Sequence, residues 1–219
     1  MKSYRLIALT GGILGILCYL AFAILAWSRY PQAFSPANNW LSDLGNPTLN
    51  PRGAFFYDSG VVVTGLLLLA FFAGQWAWRI ESNGRQRFLL RLTQALGALG
   101  ALAMMLSGVF PETFPEVHGF LSEALYILIG TAFVFSVFAL RYAQACPRWL
   151  LALGVLTGAV DIIYGVLHNV RPLEWATVAL FLCYVCVVAI QTARLESAPP
   201  IAETPPSNAP ERRIPVAER

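Results

Sequence analysis

The chain alternates long apolar stretches with short polar breaks. Six such stretches run from Leu6 to Trp27, Phe55 to Trp78, Phe88 to Phe110, Val117 to Leu140, Trp149 to Leu167 and Leu173 to Thr192. A hydrocarbon core about 30 Å thick is spanned by about 20 helical residues, and lipid satisfies no exposed backbone group, so each stretch predicts a membrane-crossing α-helix. The expected fold is all-α: a polytopic membrane protein, a six-transmembrane-helix bundle occupying residues 1–194. From residue 195 the composition turns polar and proline-rich, with Pro199-Pro200 and Pro205-Pro206. Such a segment cannot bury enough apolar surface to order itself, so residues 195–219 are expected to form a disordered tail. The first stretch follows Lys2 and Arg5, but its apolar run is longer than that of a secretory signal and no small-residue cleavage site follows. It reads as a retained helix.

Composition agrees with this pattern. Of 219 residues, 57% are hydrophobic and 12% charged, and the mean hydropathy is +0.60, well outside the range of a water-soluble domain. The charges also set an orientation. Lys2, Arg5, Arg79, Arg85, Arg87, Arg91, Arg141, Arg148 and Arg194 fall on one side of the alternating spans, while Arg29, Arg52 and Arg171 fall on the other. By the positive-inside rule the first side is cytoplasmic, which places both termini inside a multi-pass protein of the cell inner (plasma) membrane. The basic residues form no stripe that could follow a phosphate backbone, so nucleic acid is not an expected partner. Membrane lipid is, and a second copy of the chain would enlarge any pathway through the bundle. Cys18, Cys183 and Cys186 lie inside apolar runs and imply no disulfide framework. Cys183-x-x-Cys186 lacks the histidines or second cysteine pair of a metal site. No metal or cofactor is predicted.

Acidic residues crowd the opposite side from the arginines, and charge balance does not explain them. The first outer loop carries Asn38-Asn39-Trp40-Leu41-Ser42-Asp43-Leu44-Gly45-Asn46-Pro47, followed by Asn50-Pro51. Asn46-Pro47 reads as a turn, and Asn50 with Pro51 reads as the cap and first position of the second helix. Asp58, about two turns into that helix, should face protein or water, because an aspartate in hydrocarbon costs about 2.5–3.5 kcal/mol at mid-membrane. Glu112 lies in the second outer loop. His118 and Ser122 share one face of the fourth helix, Glu116 and Glu123 an adjacent one, and Glu116 suits the N-terminal end of the helix dipole. In the fifth helix Asp161, Tyr164 and His168 form a stripe descending into the membrane, with Asp161 about 10 Å deeper than His168. Both histidines thus fall on the outer side, together with seven of the twelve acidic residues.

Ser42-Asp43-Leu44-Gly45 with Pro47, then Phe56 and Gly60, and Gly108-x-Phe110-Pro111 leading to His118, resemble a prokaryotic six-helix membrane family catalogued as domain of unknown function 998. The resemblance covers roughly residues 5–193 and brings no settled activity. More distantly, the Ser-Asp-Leu-Gly loop and the six-span layout look like a eukaryotic membrane family that includes a GPI-anchor lipid-remodelling factor and autophagy modulators. That likeness leans toward lipid handling without transferring any catalytic residue.

Two functional readings follow. In the first, the chain is a lipid- or small-ligand-binding module with a polar pocket at the outer face, built from Asp58, Glu112, Ser122, Glu123 and Tyr164. In the second, it is an outer-leaflet lipid-modifying hydrolase or transferase: His118 or His168 acts as acid/base, Asp161 or Asp43 orients it, and Ser42 or Ser122 is the nucleophile. No nucleophile elbow or phosphate loop supports the second reading. Sequence leaves both open.

Overall fold

The structure, a computed structural model, describes residues 2–167 and 170–195. The expected tail beyond residue 195 therefore lies outside the described residues. Six helices make up the fold: α1 (Lys2–Trp27), α2 (Ala54–Gly74), α3 (Gly84–Val109), α4 (Pro115–Leu140), α5 (Arg148–Leu167) and α6 (Arg171–Arg194). A 3-10 turn, Gln75–Trp78, continues α2, and a second, Ser42–Gly45, interrupts the long α1–α2 loop. All six helices are long and apolar enough to cross a membrane, so this is a multi-pass membrane protein. The ends lie within about a turn of those expected from hydropathy, but the expected cap of α2 is not Asn50 with Pro51 at the first position: the helix begins at Ala54 under Gly53 with no side-chain cap. Asn50 does something else, described below.

Each helix packs on the next in sequence, and α6 returns to pack on α1, closing the bundle into a ring. Short connections between antiparallel neighbours make this the simplest path for the chain. Aromatic side chains fill the middle of the ring. The Phe133 ring lies 4.7 Å from Tyr184 and 5.6 Å from Phe181, and the Tyr184 hydroxyl meets Ser136 Oγ at 2.6 Å. Lipid tails are as apolar as the core, so close packing rather than escape from water holds these helices together. At the α4–α5 crossing a Cβ on Gly130 would lie 2.8 Å from Gly158 O, and one on Gly158 would lie 2.6 Å from Gly130 O. Only paired glycines let these two backbones touch. Gly11 likewise faces the α2 backbone at Leu67 O, whereas Gly15 is only in ordinary contact.

The ring has two chemically different ends. Arg79, Arg85, Arg87, Arg141, Arg148 and Arg194 gather at one, and the ion pairs found among the described residues, Arg79–Glu81 at 2.6 Å and Arg87–Glu81 at 3.8 Å, are both there. The other, acidic end holds the long α1–α2 loop and the α3–α4 connection. Trp78 is buried, and its indole N–H donates to Thr192 Oγ1 at 2.7 Å, because the 3-10 turn after α2 rotates it inward.

Candidate site at the acidic end

The α1–α2 loop folds back over the ring and is held there by polar side chains from three directions. From α6, buried Glu174 accepts the Leu41 N–H at 2.6 Å, and the Ser42 N–H also turns toward its carboxylate. The neighbouring Trp175 donates its indole N–H to Asn39 O at 3.2 Å, and the Arg171 guanidinium lies 5.6 Å from the centre of the Trp40 ring. From the α3–α4 connection, Glu112 accepts from Asn46 Nδ2 at 3.1 Å. From below, Asn50 spends its amide on the loop rather than on a helix cap: Nδ2 donates to Ala26 O at 3.1 Å and to Leu44 O at 2.9 Å. Asn46 forms the expected turn, accepting from Thr48 N–H at 2.9 Å.

Beneath this cover lies a chamber of about 220 Å³. Its rim carries Ser42, Asp58, Glu112, His118, Ser122 and Glu123, and its floor is Val61, Met104, Ile129, Val178 and Phe181. Between rim and floor stand tyrosines from four helices, Tyr19, Tyr57, Tyr126 and Tyr164. The Tyr19 and Tyr57 hydroxyls are 3.3 Å apart, and the Tyr126 and Tyr164 rings meet edge to face at 4.7 Å. Gly45 is required here, since a Cβ on it would collide with the Asp58 carboxylate. The Ser-Asp-Leu-Gly turn therefore seats directly on α2.

Seven of the residues singled out from sequence come together in this chamber: Ser42, Asp58, Glu112, His118, Ser122, Glu123 and Tyr164. Asp58 faces protein, as the cost of exposing it to lipid requires. Two others stand apart. Asp43 is bound into its own turn, its Oδ2 accepting from Trp40 N–H at 3.1 Å and Asn39 Nδ2 at 3.3 Å. Burial, with Glu112 adding to it, pushes the Asp43 carboxyl above the usual range, against the opposing pull of Asn39, Trp40 and Arg171. Asp161 is fully buried against the α4–α5 crossing, and among the described residues it is not part of the chamber lining and neither of its oxygens has a hydrogen-bond partner. His168 lies outside the described residues.

Neither Asp43 nor Asp161 orients His118. That ring is held by Phe110 O, 2.9 Å from Nδ1. A carbonyl only accepts, so Nδ1 carries the proton and Nε2 is left for other partners. Neither Ser42 nor Ser122 forms a hydrogen bond with it, so no serine–histidine pair exists in this arrangement. Among the described residues, no three His, Cys, Asp or Glu side chains converge closely enough to hold a metal ion. The sequence reading missed Glu174 as the loop's main anchor and missed Tyr19, Tyr57 and Tyr126 altogether. Tyrosines recurring mid-span in separate helices were the available signal.

The closed ring, its apolar exterior and the polar chamber under a tied-down loop define a class: six-helix membrane proteins with a covered chamber at one end of the bundle. The chain belongs to the family described as Protein of unknown function (DUF998), whose model matches residues 13–193. No curated protein and no solved structure matches it, and the distant likeness to the eukaryotic lipid-remodelling family gains no support from these comparisons.

Proposed function

We propose that this protein binds a small amphipathic ligand in the chamber at its acidic end. The observation that carries this reading is the layering of the chamber, with carboxylates and hydroxyls at the rim above an apolar floor closed by Phe181. Ligand sites typically combine an apolar lining with a few convergent polar groups. Binding fits better than hydrolysis because His118 Nδ1 is tied to a backbone carbonyl and neither Ser42 nor Ser122 is hydrogen-bonded to the ring. The arginine asymmetry supports an orientation with the basic end in the cytoplasm and the chamber on the outer side of the cell inner membrane.

Gly119 offers a direct test. It lines the chamber, and a Cβ there would meet nothing within 4 Å, so a side chain can start from this position and Gly119→Phe is directed at filling the space. Native mass spectrometry of the protein as purified from its host membrane should find small-molecule adducts on wild type that the Phe variant, equally stable, has lost. Identical adduct profiles would refute the reading. For the orientation, a cysteine introduced at exposed Thr48, in a background with the native cysteines replaced, should react with an impermeant maleimide added to intact cells. One introduced at Arg85 should not.

A further inference from the structure

The chamber's charge points to its ligand. Asp58, Glu112 and Glu174 line it, and none is paired with a Lys or Arg: Asp58 has no hydrogen bond among the described residues, while Glu112 and Glu174 accept only from neutral N–H groups. Among the described residues, the lining contains no Lys or Arg, and His118 at the rim is the one described side chain there able to carry positive charge. Arg171 stands nearby but is committed to the face of Trp40.

Acidic side chains alone would not make a site. Tyr164 supplies an independent observation: it is only 6% exposed, it lines the chamber, and its hydroxyl has no hydrogen-bond partner among the described residues. Its ring is buried while its hydroxyl stays open to the chamber, a polar position without a protein partner facing the space a ligand would take. The four tyrosine rings add π-faces that attract cations, most strongly where water is excluded. The carboxylates are also spread around the wall rather than converging on one point as a metal ion needs. That spacing suits a bulky, diffuse positive charge.

We propose that the ligand is an organic cation, an ammonium group on an apolar body. The ammonium sits among Asp58, Glu112 and the tyrosines, and the apolar part rests on Val178 and Phe181. This rests on the binding reading above and adds the sign of the ligand's charge. The same chemistry is offered by a free amine and by the ammonium headgroup of a lipid.

The test uses the full-length protein in nanodiscs of phosphatidylglycerol, titrated with three probes of one chain length: hexyltrimethylammonium, hexanol and hexyl sulfate. Intrinsic fluorescence and thermal unfolding are followed. Hexyltrimethylammonium should bind at least about tenfold more tightly than hexanol, and hexyl sulfate should not bind, the difference reflecting a charge-assisted contact in a low-dielectric site. Asp58→Asn should weaken the cation about tenfold and leave hexanol unchanged. Glu112→Gln, which keeps an acceptor for Asn46, serves the same purpose if the Asp58 variant fails to fold. Adding phosphatidylethanolamine to the nanodisc separates the sources. Competition identifies a lipid headgroup and its absence a free amine, and either result supports the cation. Equal binding of hexanol and the cation, both abolished by Gly119→Phe, overturns the charge proposal and leaves the chamber reading intact. If no probe binds, both fall.

Discussion

Glu174→Ala should loosen the loop over the chamber without unfolding the bundle. Glu174 is 5% exposed and accepts the Leu41 N–H at 2.6 Å, with Ser42 N–H beside it, and Leu41 is itself buried. Truncation removes a charge-assisted acceptor and strands at least one buried donor. Such losses cost about 3 kcal/mol in total, allowing for both the bond and the desolvated N–H. The energy falls on the loop, because the neighbouring anchors, Trp175 to Asn39 and Asn50 to Leu44, bear on the same segment, whereas the α6 interior below is held by its own packing. Amide hydrogen exchange is the appropriate assay: at about 3 kcal/mol, exchange at Leu41 and Ser42 should accelerate on the order of a hundredfold, with amides near Phe133 unchanged. Glu174→Gln keeps an acceptor oxygen of the same reach and should stay within about 1 kcal/mol of wild type. If the alanine variant exchanges like wild type at Leu41, Glu174 does not hold the loop. If the glutamine variant is as loose as the alanine one, the charge matters and not merely the acceptor.

Three other outcomes follow from the packing and charges. Phe133→Ala, at a fully buried position touching Phe181 and Tyr184, should cost about 3–5 kcal/mol and lower the midpoint of thermal unfolding. No change there would mean that the aromatic centre is not the structural core. Asp161→Leu, similar in size to the buried and unpartnered carboxyl it replaces, should raise stability by about 1–3 kcal/mol, whereas a fall in the unfolding midpoint would mean that the carboxyl is engaged. Asp43 should make stability depend on pH. Its folded pKa lies above its unfolded one, so the folded state holds the proton more tightly, and that contribution is full below the ordinary carboxylate value and lost as pH rises through the raised one. Unfolding midpoints taken from about pH 4 upward should fall less in Asp43→Asn than in wild type, and parallel curves would contradict this.

Hydropathy alone determined the six helices and their ends to within about a turn, because lipid leaves the backbone no alternative to helix over about 20 apolar residues. It also determined that an aspartate near the outer end of α2 must turn inward, and Asp58 does. Local chemistry was legible where it closes on itself, as in the Asn46 turn. Contacts made across the chain were not. Whether Asp43 and Asp161 belong with His118 depends on which way each side chain leaves its helix or turn: hydrogen bonds to Asn39 and Trp40 commit the first to its own turn, and tertiary packing commits the second to the α4–α5 crossing. Asn50 looked like a helix cap from its neighbours, but two carbonyls brought in by the folded loop claim its amide. Glu174 and Leu41 are far apart in sequence, and Tyr19, Tyr57, Tyr126 and Tyr164 come from four different helices. Only closure of the ring, with α6 against α1, brings these groups around one space, so the spans belong to the sequence and the chamber to the tertiary structure.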